Sequence, residues 1–206
     1  MAEELGKIER PPVENFKKGR KLYLVPLIYR GEDAKEDYLE KFNRYWEQVG
    51  RQINELEAKL GKVNKIYHEL VSSAGEDGLR AINDLNEKSH AIVQACREKG
   101  AQVEVVEEHD LLTQFMDWSR CLLIGLQNQK VFTRVYEAYL ETSRKRNESI
   151  VGKIDKTLGP DEIGLLLIRG NHQLQLPSDI QVLYVAPPAL DEINRYFREH
   201  ETGPEN

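Results

Sequence analysis

Glu69, Arg169 and His172 are the residues from which a small-molecule site could be built, because each follows or closes an apolar stretch that reads as a β-strand. In open α/β sheets ligands sit outside the carboxyl ends of the strands, so residues in these positions have first claim on chemistry. The same criterion collects Glu107-Glu108-His109-Asp110 behind a third strand. With parallel strands, Glu69, Glu108, His109 and His172 would converge on one rim. Histidine and carboxylate together are the ligand set of zinc, manganese and iron sites, and the same pair can serve as general base and acid. Glu69, His172 and His109 are therefore the candidate ligands of a divalent metal, and Glu69 and His172 the candidate catalytic pair. Arg169, with Arg146 and Asn147 from a later helix, would orient an anionic group.

Each candidate also has a purely structural explanation. Carboxylates behind strands complement the dipole of the next helix. His68 and Glu69 alternate across their strand and cannot share a face, which leaves His68 as a hydrogen-bonded structural histidine. The Gly170-Asn171-His172 stretch would serve as a tight turn with an exposed imidazole, since Gly and Asn tolerate positive φ. Arg144-Lys145-Arg146 reads as a solvated helical face. Trp46, Trp118 and Tyr136 fall on helical stripes and read as core. The sequence contains no phosphate-binding glycine loop, no nucleophile elbow, no HExxH and no CxxC pair, so no reaction is specified.

The elements that must position these residues follow from periodicity. Strands are expected at Lys21–Tyr29, Val63–Val71, Gln102–Val106, Ile163–Ile168 and Ile180–Val185. Pro26 removes a ladder donor from the first, which hints at a sheet edge or a bulge. A capping-box pattern, Asp33 with Glu36, opens one long helix after the first strand, with a stripe at Tyr38, Phe42, Tyr45, Trp46, Val49, Ile53, Leu56 and Leu60. A second helix carries Leu79 to Cys96 and ends at Gly100. Asp110 is the expected N-cap of a helical stretch over 111–126, another covers 129–158, and a last helix spans Leu190–Glu199. The expected fold is α/β: a single domain over 21–200 with a mostly parallel or mixed five-stranded sheet flanked by helices, an N-terminal extension over 1–20 and a tail over 201–206. Residues 169–179 are too few for a helical crossover between adjacent parallel strands, so the last two strands are antiparallel or separated in the sheet.

Composition narrows the function classes. With 206 residues the chain can bury one sizeable core, and a net charge of −6 argues against a nucleic-acid partner. No apolar run approaches the ~20 residues needed to span a bilayer, and the charged N-terminal stretch lacks an apolar signal region. A soluble, cytoplasmic protein without membrane or nucleic-acid partners is expected, and Cys96 and Cys121 fit a reducing compartment. The long stripe of the first helix exceeds what a five-stranded sheet should cover, from which a homodimer is expected.

Arg146-Asn147-Glu-Ser-Ile150, Lys153-Ile154 and Leu158, followed by the strand Gly-Leu-Leu-Leu-Ile and then Gly170-Asn-His172, resemble the C-terminal half of the TraB and erythromycin-esterase (ChaN-like) group. Ile66-Tyr-His-Glu69 is similar to that group's second strand, which closes on a glutamate. The likeness covers about two thirds of the chain through short motifs. The group's Gly-x-x-His element after the first strand is replaced here by Tyr29-Arg30-Gly31-Glu32, without the histidine. The resemblance implies a metal-dependent, hydrolase-like site using Glu69 and His172, and the missing histidine leaves two alternatives, an active site and a degenerate one. The functional expectation is thus a hydrolase-like protein acting on a small anionic molecule. The alternative is a non-catalytic binding or scaffold protein that self-associates through its long helix.

Overall fold

The computed structural model describes residues 18–31, 34–170 and 172–201. Most of the expected N-terminal extension, the tail beyond residue 201, and Asp33 and Asn171 lie outside them. The described elements run β1 (Lys21–Pro26), α1 (Glu36–Leu60), β2 (Lys65–His68), α2 (Gly75–Leu85), α3 (Glu87–Glu98), β3 (Gln102–Glu104), α4 (His109–Leu123), α5 (Gln129–Thr157), β4 (Ile163–Ile168), β5 (Gln181–Tyr184) and α6 (Pro188–Glu201). The strands form one five-stranded sheet of order β3-β2-β4-β1-β5. Every pairing in it is parallel. β4 and β5 are not neighbours, because β1 lies between them; a short connection suffices, and no antiparallel pair is needed.

β1 and β4 are buried at every position, as expected of central parallel strands covered on both faces. Alternate residues feed two separate cores. Tyr23, Val25, Ile66, Leu165 and Leu167 meet α1, α2, α3 and α6 through residues such as Tyr45, Val49, Ile82, Val93 and Ile193. Leu22, Leu24, Tyr67, Leu166 and Ile168 meet the second half of α5 at Ile150 and Ile154.

Several local expectations are corrected. Pro26 marks neither an edge nor a bulge: β1 is interior, and Pro26 is its last residue, beyond Leu24, where pairing with β5 stops. The ring removes the donor that would carry the β1–β5 ladder past its last bond, Val185 N–H to Leu24 O at 2.9 Å, and so ends that pairing. α1 starts behind Lys35, which makes no side-chain cap; Asp33, the other half of the expected capping box, lies outside the described residues. The helix expected from Leu79 to Cys96 is two helices. Asn86 takes an extended conformation, and its side-chain oxygen caps the backbone N–H groups of Lys88 and Ser89. The N-cap of α4 is Glu108, with Asp110 inside the first turn.

At 25 residues α1 is about 37 Å long. Its stripe is nonetheless used within the chain. Tyr38, Phe42, Tyr45, Trp46, Val49 and Ile53 are buried, and Leu56 and Leu60 pack against the same core. The helix gains its cover from α6 as well as from the sheet: Tyr38 lies 5.4 Å from Tyr196 and 5.3 Å from Phe197, ring to ring. The stripe thus leaves no bare face on α1 for a partner subunit, and the basis for expecting dimerisation through this helix falls away. Among the described residues no helix is long and apolar enough to cross a membrane.

Gly164 is the tightest point of the central strand. A Cβ there would lie 2.7 Å from Leu22 Cδ1 and 3.0 Å from Tyr67 Cε2, both fully buried. Gly164→Ala is therefore expected to destabilise the fold by about 1–3 kcal/mol through overpacking, read as a lower urea midpoint at unchanged slope.

Candidate functional site

The carboxyl edge of the sheet brings together residues from four segments. Glu69 follows β2 directly, Glu107 lies in the loop between β3 and α4, Arg146 comes from the middle of α5, and Arg169 follows β4. Glu69 and Glu107 are each 2% exposed and Arg146 is 4% exposed. Isolated charges could not persist at such burial, and these are paired.

Arg146 donates through Nε to Glu107 Oε2 at 2.9 Å and through Nη2 to Glu107 Oε1, the bidentate fork that suits a guanidinium to a carboxylate. The same Nη2 reaches Glu69 Oε2 at 3.3 Å. Glu69 Oε1 accepts from the backbone N–H of Arg169 at 2.7 Å and from Arg169 Nε at 3.0 Å. Both guanidinium groups lie over the ring of Phe115, at 4.7 Å for Arg146 and 5.3 Å for Arg169. Burial pushes the Glu69 carboxyl above the usual carboxylate range, against the opposite pull of Arg169 and Arg146. Burial works against the Arg146 charge as well, but Glu107 and Glu69 more than offset it and hold the guanidinium protonated.

Arg169 differs from Arg146 in one respect. Its side chain is 38% exposed, and its bonds to Glu69 use only the backbone N–H and Nε. Among the described residues its two terminal nitrogens make no hydrogen bond.

Beside this cluster is a cavity of about 270 Å³ lined by Glu69, Phe115, Arg146, Asn147, Arg169 and His172, with Tyr136 and Tyr139 on the helical side. Glu69, His172, Arg169, Arg146 and Asn147 thus share one cavity. His172 Nδ1 accepts from the backbone N–H of Leu174 at 3.4 Å, which puts the proton of the neutral imidazole on Nε2. Burial lowers the His172 pKa, so the ring is neutral at pH 7.

His109 does not join them. It opens α4, away from the cavity lining, and its Nδ1 lies 3.3 Å from Ser72 Oγ. Glu108 is exposed and accepts from Ser149 Oγ at 2.6 Å. The ligand set of Glu69, His172 and His109 is therefore not assembled, and no group of three or more His, Cys, Asp or Glu side chains among the described residues could hold a metal ion. The donors present do not suit one either. Both oxygens of Glu69 already accept from arginines, and a cation would have to approach two guanidinium groups.

Arg146, expected either to orient an anion or to lie on a solvated face, lines the cavity, and Glu107 pairs with it although only its neighbour Glu108 was singled out. Arg146 is not part of a solvated face, although its neighbours are: Arg144 and Lys145 pair with Glu148 and Glu141 on the outside. The missed signal was spacing, since Thr142, Arg146, Ile150 and Ile154 form one buried stripe at four-residue intervals. Glu107 was passed over for Glu108, its exposed neighbour. Tyr136, expected in the core, is 44% exposed at the cavity wall.

His68 is structural, as its strand position suggests. It is buried, its Nδ1 donates to the backbone oxygen of Glu69 at 2.7 Å, and its Nε2 lies 3.1 Å from Ser89 Oγ. It thereby fixes the main chain that presents Glu69.

The chain matches no family model, no curated protein and no solved structure.

Arg146→Ala should destabilise by about 3–5 kcal/mol, because it strands two buried carboxylates. Arg144→Ala, on the exposed side of the same turn, should stay within about 0.5 kcal/mol, and urea unfolding distinguishes the two. A pH dependence follows from His68, whose pKa burial lowers to about 4 from an ordinary 6.5. Below pH 6.5 the unfolded chain takes up a proton that the folded chain refuses, so this contribution is complete above pH 6.5 and is lost as pH falls towards 4. It amounts to about 3 kcal/mol. Unfolding free energies measured at pH 7 and pH 5 should show about 2 kcal/mol of this loss, and His68→Gln should flatten it.

Proposed function

We propose that the cavity at the carboxyl edge binds a small anionic molecule, with Arg169 as its principal contact and His172 as the group that exchanges a proton with it. The observation that carries this reading is the state of Arg169. Its backbone N–H and Nε are held by a buried carboxylate while its terminal nitrogens make no hydrogen bond among the described residues, the arrangement of a guanidinium oriented in advance for an oxyanion. Arg146, Asn147 and the neutral His172 line the same cavity and add donors.

In this reading Glu69 is a positioning residue. Its oxygens are occupied by Arg169 and Arg146, so a proton would be taken up by His172. The segments that carry the resemblance to the TraB and erythromycin-esterase group, around Glu69, Arg146-Asn147 and His172, are those lining the cavity, which supports a hydrolase-like ancestry. Hydrolysis of an anionic substrate without a metal would rest on Arg169 as the stabiliser of developing negative charge and on His172 as base, its Nδ1 exchanging the long 3.4 Å bond from the Leu174 N–H for the proton. A binding protein that has kept the oriented arginine without turnover uses the same residues, and the two readings share a first step.

Isothermal titration with inorganic phosphate and with acetate tests that step. Saturable binding is expected, weakened by at least about tenfold in Arg169→Ala and unchanged in Arg144→Ala. Because an anion beside the imidazole favours its charged form, binding near pH 6 should take up protons, detectable as a heat that varies with the buffer's ionisation enthalpy. His172→Gln should abolish the uptake. Binding that is indifferent to Arg169→Ala would overturn the proposal.

A further inference from the structure

On the other side of Arg169 lies a second depression, a groove of about 800 Å³ lined by Leu27, Tyr29, Arg169, Tyr184, Leu190 and Phe197, among others. It runs along the carboxyl ends of β1 and β5 and the side of α6. Its walls are apolar and partly bare, with Tyr184 62% exposed and Phe197 41% exposed. Arg169 belongs to both linings, so this residue stands between the polar cavity and the apolar groove.

Tyr29 adds a second, independent observation. Its hydroxyl is buried and has no hydrogen-bond partner among the described residues. A buried phenol normally finds an acceptor, and leaving one unpaired is costly. Burial raises its pKa, with the charges of Glu69, Arg169, Arg146 and Glu107 all acting on it, so the unpaired donor sits within electrostatic reach of the cluster. An oxyanion held by the terminal nitrogens of Arg169 would supply the missing acceptor.

We propose that Arg169 joins the cavity and the groove into a single site for an amphiphilic anion, a carboxylate held between Arg169 and Tyr29 with its aliphatic or aromatic body lying in the groove. This rests on the reading that Arg169 takes an anion, and names the class of molecule that carries it. Charge complementarity fixes the occupant. Apart from Asn194 on α6, the groove is lined by apolar and aromatic residues and is cationic at Arg169, the reverse of what a cationic peptide or a neutral sugar would require.

Calorimetric titration with acetate, decanoate and decanol, all as monomers, tests the proposal, with Arg169→Ala, Tyr29→Phe and Tyr184→Glu as variants. Decanoate should bind at least about a hundredfold tighter than acetate, since each methylene buried in the groove gains up to about fourfold. Decanol, without the charge, should bind at least about tenfold more weakly than decanoate. Tyr29→Phe should weaken decanoate by about tenfold at an equal or higher melting temperature, because it removes a donor that the free protein leaves unpaired. A drop in stability without loss of affinity would show that the phenol serves the fold alone. Tyr184→Glu, at an exposed position, should erase the advantage of decanoate while sparing acetate.

Equal affinity for decanoate and acetate would overturn the groove's role and leave the anion site standing. Failure to bind either one, or phosphate, would overturn the anion site as well. Decanol binding as well as decanoate, or uptake onto phosphatidylcholine vesicles without any affinity for monomeric decanoate, would each refute the assignment of Arg169 as the headgroup contact.

Discussion

The charge balance at the carboxyl edge is the constraint on which the site depends. Glu69, Glu107, Arg146 and Arg169 together carry no net charge, and three of them are almost wholly out of water. Desolvating any one alone would cost several kcal/mol, so the burial of each is conditional on the others. Because the four come from different segments, this mutual requirement acts as a long-range fastener. α5 can seat only where Arg146 meets both carboxylates, and the chain leaving β4 can run only where its first backbone N–H meets Glu69 Oε1.

The same pairing governs conformations that would otherwise be unfavourable. Leu70 has a φ of 67°, in the left-handed region where a branched side chain is strained. Its N–H donates to Glu107 Oε1 at 2.9 Å, and the backbone oxygen of the preceding Glu69 accepts from His68. The turn behind β2 is thus clamped from both sides. Phe115 extends the network to the α4–α5 hairpin, since its ring lies under both guanidinium groups and 5.4 Å from that of Tyr139. The first half of α5 leaves the sheet and exposes Val131, Phe132, Tyr136 and Leu140. Only its second half, from Thr142 onward, is anchored in the cores.

How much of this was legible in the sequence depended on whether burial left a periodic trace. β1 and β4 are apolar at nearly every position because both faces are covered, and continuous runs of that kind can be read directly. The long α1 was equally plain, but its stripe could not say what would cover it; α6, whose Tyr196 and Phe197 do so, is distant in sequence. Asn86 divides α2 from α3 without a glycine or proline to announce it, and its capping of Ser89 is visible only once the break is known. The candidates around the cavity were found by a topological rule, that residues behind parallel strands share an edge. That rule carried Glu69, Arg169 and His172 to one place but failed for His109, which is exposed at the start of α4, two residues beyond the inward-facing Glu107. Glu107, and the burial of Arg146, were obscured by charged neighbours. A charge run advertises solvent, and the member that turns inward betrays itself only by sharing the four-residue stripe of Ile150 and Ile154.

Charge neutrality of the cluster does not make the cavity electrostatically blank. The carboxylates lie beneath, each oxygen turned towards an arginine or a backbone N–H, whereas the Arg169 side chain is 38% exposed and its terminal pair of nitrogens makes no hydrogen bond among the described residues. An approaching molecule therefore meets the positive outer edge of an otherwise balanced array. It can bind there without breaking an existing ion pair, so the reorganisation that usually opposes capture of an anion is already complete in the fold. A net charge of −6 over the whole chain does not oppose this at short range, because screening confines the distant surface carboxylates to about 8–10 Å in physiological salt. The selectivity of such a site comes from local geometry: an arginine fixed by one carboxylate, a neutral histidine beside it, and an apolar wall beyond.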